Sequence, residues 1–254
     1  MPARFPDLKD ASVFITGGGS GIGAYLTDGF LAQGANVAFV QRSDASAFAD
    51  EMAEKHQNRP LFIPCDITDI SALQRAVQSA AAAHGQIGVL VNNAANDRRH
   101  STEEVDEAFW DASMAVNLKA YFFACQAVTP GMKAQGKGAI VNFSSISYMM
   151  GMSGYPAYTT ANSGINGLTR SLAREFGQDA IRVNALMPGW VLTEKQLDMW
   201  ATEEGLRAHL ERACLKTHLK PEDIIDPTLF LASDASAAMT GQALVVDGGV
   251  VVTG

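Results

Sequence analysis

Tyr158 follows Ser145 by thirteen residues, and Asn162 follows Tyr158 by four. A serine hydroxyl can hydrogen-bond a substrate oxygen while a phenol moves the proton, so this pair suits acid–base chemistry at a hydroxyl or carbonyl carbon. A spacing of four puts Tyr158 and Asn162 on one face of a helix. Asn117 lies among Ala115, Val116 and Leu118, where a buried amide must find partners. Near the start of the chain, Gly17, Gly18, Gly19, Gly21 and Gly23 surround Ser20 and Ile22. Glycines let a ligand approach the backbone closely, and the helix that follows offers its free amide end, so this loop suits a diphosphate. A P-loop is excluded, because no Lys-Ser or Lys-Thr ends the run.

These groups need a scaffold. Short apolar, β-branched runs at 12–16, 36–40, 61–64, 89–91, 139–143, 181–186 and 243–246 predict strands buried on both faces. Helical periodicity at 22–33, 71–83, 103–118 and 163–176 fills gaps between them. Strand and helix in alternation mean parallel pairing through right-handed crossovers: an α/β fold, a single doubly wound Rossmann-type domain over 1–254 with a seven-stranded parallel sheet. Residues 190–217 interrupt the alternation as a charged, aromatic, helical insert.

Composition narrows the partners. A net charge of -8 argues against nucleic acid or an anionic membrane as partner, since both require basic patches. Cys65, Cys125 and Cys214 are odd in number and fit no metal-ligand spacing, so reduced thiols in a cytoplasmic protein and no metal are expected. Neither a signal peptide nor a membrane span is apparent.

Taken in order, the motifs resemble those of the short-chain dehydrogenases/reductases. Thr16 to Gly23 matches that family's T-G-x-x-x-G-x-G loop, and Asn92-Asn93-Ala94-Ala95 is similar to its N-N-A-G segment. Asn117, Ser145 and Tyr158 fall where its catalytic residues are expected, Pro188-Gly189 with Thr193 resembles its P-G-x-x-x-T element, and Asp247-Gly248-Gly249 its V-D-G-G. The resemblance spans about residues 8–250. It implies a dinucleotide held by Gly17, Gly19, Ser20, Gly21, Ile22, Gly23, Asp66, Ile67, Asn93, Ala94, Pro188, Gly189, Val191 and Thr193, with Tyr158 and Asn162 beside its ribose. It also implies a water held by Asn117 in a proton relay, and a homotetramer, with which the apolar Tyr121-Phe122-Phe123 and Val250-Val251-Val252 agree. Asp66 after the third strand can serve as an adenine acceptor or as a helix N-cap.

The cofactor's phosphate is read from the end of the second strand. An acid there would bind the ribose hydroxyls of NAD. This chain instead has Gln41-Arg42-Ser43, and an arginine fork with a nearby hydroxyl suits the extra phosphate, so NADP is favoured over NAD.

Asn162 departs from the family's pattern, which has lysine at that position. A free tyrosine titrates near 10. A lysine charge about 4 Å away at an effective dielectric of about 20 is worth roughly 4 kcal/mol, whereas a neutral amide supplies only about 1 kcal/mol. Tyr158 is thus expected to be a weak base that slows turnover roughly a hundredfold near pH 7. Lys119, two residues from Asn117, falls on another helix face and is read as a solvated side chain.

Polar groups and tryptophan suit a hydroxyl-rich small molecule. Asn96 to His100 and the 200–205 and 214–216 stretches resemble aldose 1-dehydrogenases, implying oxidation of a cyclic sugar at C1 to a lactone. Candidate substrate contacts are Asn96, Arg99, Ser147, Met152 and Trp190, with Arg98, Arg99 and His100 also compatible with a solvated loop. Met149, Met150, Met152 and Met187 leave two further readings open: a reductase of apolar ketones or 3-oxoacyl thioesters, and a dinucleotide-binding protein weakened at Asn162.

Overall fold

The computed structural model describes residues 3–252, so the outermost residues of the expected domain, 1–2 and 253–254, lie outside the described residues. Seven strands run β1 (Ser12–Thr16), β2 (Asn36–Gln41), β3 (Leu61–Pro64), β4 (Val89–Asn92), β5 (Gly138–Phe143), β6 (Ile181–Pro188) and β7 (Ala243–Val246). They form one parallel sheet in the order β3-β2-β1-β4-β5-β6-β7. The winding direction reverses between β1 and β4, which opens a crevice beyond their carboxyl ends.

Alternate side chains of β1 enter two cores. Val13 and Ile15 share one core with Leu26 and Phe30 of helix α1 (Gly21–Ala32), Met52 of α2 (Ser46–His56) and Leu229 of α9 (Ile225–Ala232). Phe14 faces the other way, toward Leu73 of α3 (Ile70–His84), Ala124 of α5 (Ala120–Gln135) and Leu172 of α6 (Pro156–Phe176). Phe14 and Phe30 are fully buried, so truncating either to alanine should cost about 3–5 kcal/mol.

Several expectations need correction. Only the inner strands are buried on both faces; edge strands β3 and β7 are half-covered because each has one neighbour. Helices α2 and α9 were not anticipated: α2 has a weak apolar stripe, and α9 is short. The expected helix over 103–118 begins later, as α4 (Glu107–Met114), because the Asp106 side chain caps it by accepting from the Phe109 amide at 2.7 Å. It does not end at 118 either, but passes through a π-helical turn, Ala115–Lys119, directly into α5. The insert contains α7 (Glu194–Met199) and α8 (Glu203–Arg212), capped by Thr193 and Thr202. Among the described residues, no helix is long and apolar enough to cross a membrane, and no group of three or more His, Cys, Asp or Glu side chains is placed to hold a metal.

Candidate active site

The loop from β1 to α1 is shaped by what a side chain would strike. Gly17 and Gly21 have φ of 70° and 51°, the left-handed region where a Cβ is strained. A Cβ at Gly23 would lie 1.8 Å from the Gly17 carbonyl oxygen, so α1 can approach the loop only with glycine there. Asn93 locks this loop to the end of β4, its side-chain amide donating to the Thr16 and Gly17 carbonyls at 3.1 Å each. The backbone amides of Asn93 and Ala94 both donate to the Thr16 hydroxyl. At the start of α1, Ser20 makes no side-chain capping bond and no acid occupies the first turn. The exposed amide end is thus left for an anion, and this cradle fits the diphosphate of a dinucleotide.

Gln41 closes one side: its Oε1 accepts from the Gly19 amide at 3.1 Å, and its Nε2 donates to the carbonyl and hydroxyl of Ser43. Arg42 is exposed beside it. Asp66 does not cap α3; that role falls to Asp69, which accepts from the Ala72 amide at 3.0 Å. Asp66 instead accepts from the Thr68 amide and hydroxyl, and these bonds hold its carboxyl below the usual range. Ile67 beside it is buried. Across the sheet, Pro188 is buried at the end of β6, Gly189 passes so close to Asp247 that a Cβ would meet it at 2.8 Å, and Val191 is buried where it pairs with Leu219.

Asn117, Ser145, Tyr158 and Asn162 converge on one cavity of about 130 Å³, floored by Tyr121 and Phe143. Ser145 lies two residues beyond the end of β5 and caps the short turn Ile146–Tyr148, its hydroxyl accepting from the Ser147 amide at 3.1 Å. The π turn carries Asn117 inward, where it accepts from the Asn96 amide at 2.8 Å and donates to the Asn96 carbonyl at 3.1 Å. Its amide therefore fixes the loop after β4. Ser144, not singled out from the sequence, donates to the Asn162 carbonyl at 2.9 Å and ties β5 to α6.

Tyr158 stands at the lip of this cavity, its ring partly exposed. The protein gathered around it, and then the carboxylate of Asp97, push its pKa up to about 12; hydrogen bonding with Asn162 and Ser145 opposes them only in part. Asp97 was legible only as one polar residue of its segment. Burial works against its ionisation, but Lys195 at 2.7 Å and Gln196 at 2.8 Å outweigh that and hold its carboxyl below the usual range. Gln196 in turn accepts from the Trp190 indole at 2.9 Å, so α7 is fastened to the loop after β4.

The 98–100 segment divides. Arg98 is exposed, as a solvated loop residue would be, although its guanidinium lies over Phe109. Arg99 and His100 are drawn into the fold: Arg99 is half-buried with its guanidinium 3.8 Å from the Tyr155 ring centre, and His100 is 8% exposed. Aromatic faces supply what solvent would have given the cation. Tyr155 stacks on Tyr158 at 5.4 Å, three residues along at the start of α6. Asn96 and Met152 are exposed, Trp190 is partly covered, and Ser147 is buried.

Known proteins of similar sequence and structure identify the family. Residues 17–251 match the family model described as enoyl-(acyl carrier protein) reductase. A probable galactose dehydrogenase of Rhizobium meliloti is 51% identical over 98% of both chains. The chain is a short-chain dehydrogenase/reductase. Its similarity to the D-xylose 1-dehydrogenase of Caulobacter vibrioides is 44% identity over 97% of this chain and 98% of that one. The crystal structure of L-sorbose reductase from Gluconobacter frateurii, complexed with NADPH and L-sorbose, superimposes with a TM-score of 0.88 at 28% identity, covering 97% and 99% of the two chains. As a member of this family with sugar-dehydrogenase relatives, the protein is an NAD(P)-type oxidoreductase acting on a small molecule.

Proposed function

We propose that this oxidoreductase oxidises a cyclic aldose at C1 to the lactone, with NADP as its preferred cofactor. The observation that carries the reading is the polar chain that ends near Tyr158: Trp190, Gln196, Asp97 and Lys195 are joined by hydrogen bonds that hold indole, amide, carboxylate and ammonium in place, and the Asp97 charge acts on the Tyr158 phenol. Such a chain suits a polyol, whose hydroxyls can meet its remaining donors and acceptors, as an apolar ketone could not. The relatives described as galactose and D-xylose dehydrogenases support it.

In this reading, Ser145 donates to the substrate oxygen, Tyr158 takes its proton and Asn117 fixes the loop that shapes the pocket. The dinucleotide, when bound, supplies the hydride acceptor. Asn162 stands where the ribose would lie but brings no charge, so turnover near neutral pH is slow. Arg42 and Ser43 would receive the 2′-phosphate, since no carboxylate ends β2 and Asp44 is spent on Ser46. Residues 190–217 would cover the substrate. Trp110 and Phe122, both about two-fifths exposed, would be covered in a homotetramer.

The test is oxidation of a panel of aldoses, hydroxysteroids and 3-hydroxyacyl esters with NADP and NAD at pH 7 and pH 10. Lactone formation from aldoses, faster at pH 10, is expected. Cofactor binding without turnover on any of them would overturn the reading.

A further inference from the structure

Three segments meet at the outer edge of the candidate site: 97–100 after β4, 147–155 between β5 and α6, and 190–200 of the insert. The His100 amide donates to the Gly154 carbonyl at 2.8 Å and joins the first two, and the Asp97–Lys195 pair joins the first to the third. Where they meet, polar atoms are left unspent. Arg99 Nε, Trp200 Nε1 and the hydroxyl of Ser147 are each buried without a hydrogen-bond partner. Ser147 itself is only 2% exposed.

Buried donors in a native fold are nearly always satisfied, so unpaired donors on three segments that are tied together beside the candidate site call for a ligand that completes them. Two of the three, the guanidinium and the indole, can only donate. What completes them must therefore bring acceptor oxygens.

Arg99 is also held in one orientation. Its guanidinium lies between the Tyr155 ring, at 3.8 Å, and the Trp200 ring, at 5.5 Å. Asp97, its near neighbour in sequence, is occupied by Lys195 and Gln196, and among the described residues no carboxylate pairs with Arg99. Tyr155 in turn stacks on Tyr158 with an interplanar angle of 21°. The guanidinium thus packs on Tyr155, which packs on Tyr158, and a molecule that reaches both the Tyr158 hydroxyl and the Arg99 donors must span that aromatic layer.

We infer that Arg99, backed by Trp200, is a specificity-determining residue that reads the exocyclic oxygen at C6 of a hexose whose C1 lies at Tyr158. This rests on the aldose reading proposed above. A planar fork fixed between two rings is preorganised for an oxygen at one distance from the reacting carbon, and a sugar lacking that oxygen leaves the donors unpaired in a desolvated site.

The experiment compares kcat/KM for a hexose, its 6-deoxy analogue and the pentose of matching ring configuration. In the unmodified chain the hexose should be favoured by about tenfold over both. Arg99→Met keeps the length of the side chain and removes its donors; it should collapse the hexose-to-pentose ratio toward one, and Trp200→Phe should lower that ratio in the same direction. Because the comparison within the unmodified chain needs no variant, a poorly folding Arg99→Met leaves it decisive. Equal kcat/KM for all three sugars, or a ratio unmoved by Arg99→Met, would overturn the inference while leaving aldose oxidation intact. Oxidation of none of the three would instead sink the aldose reading itself.

Discussion

The side-chain amide of Asn162 donates to the backbone carbonyl of Tyr158 at 2.9 Å, one turn back along α6. That bond takes one of the two N–H donors of residue 162 within its own helix. What remains for the phenol is a neutral dipole, while burial and Asp97 both disfavour the phenolate.

Replacing the amide by a cation should reverse this. Asn162→Lys is expected to raise kcat near pH 7 about a hundredfold and to move the pH optimum downward, as read from full pH–rate profiles. An unchanged rate and optimum would show that charge at position 162 is irrelevant.

The pH dependence of the unmodified chain has a definite sign. The oxidising form needs the deprotonated phenol, whose pKa is pushed up to about 12, so the rate should climb with pH through 7 to 10 without reaching a plateau. Asp97→Asn removes the carboxylate that raises that pKa and should shift the rising limb about half a unit toward lower pH. A plateau below pH 9 would mean that another group takes the proton.

Arg42→Ala tests the phosphate site. The Michaelis constant for NADP should rise about tenfold while that for NAD stays within twofold. An equal effect on both would make Arg42 a bystander and place the selectivity elsewhere.

Gly23→Ala puts a methyl group where the Gly17 carbonyl already lies. The loop must open, so dinucleotide affinity measured by fluorescence titration should fall at least about tenfold, and unfolding should be easier by about 2 kcal/mol. A variant that binds and melts like the parent would rule out this account of the tight approach.

The parallel sheet was legible because seven β-branched runs alternate with helical stretches, and the glycine loop because its residues carry the strain directly. That Ser145, Tyr158 and Asn162 share one cavity agrees with their spacing read together with the family resemblance. The pairing of Asp97 and the packed state of Arg99 were not legible, since each depends on segments that meet only after the sheet has wound: the 93–100 loop, the turn before α6 and the insert. The cap at Asp106 was missed because helical periodicity locates a helix better than it locates its first residue.

The π turn at Ala115–Lys119 has an effect beyond Asn117. By closing a wider ring of main chain, it breaks the angular phase between α4 and α5, so one nearly continuous rod from Glu107 to Gln135 presents different sides to different neighbours. Its first part lies along α6, and its later part lies against α3 and the sheet. Deleting a single residue there would re-phase the rod and set these two packing partners in competition for the same stripe.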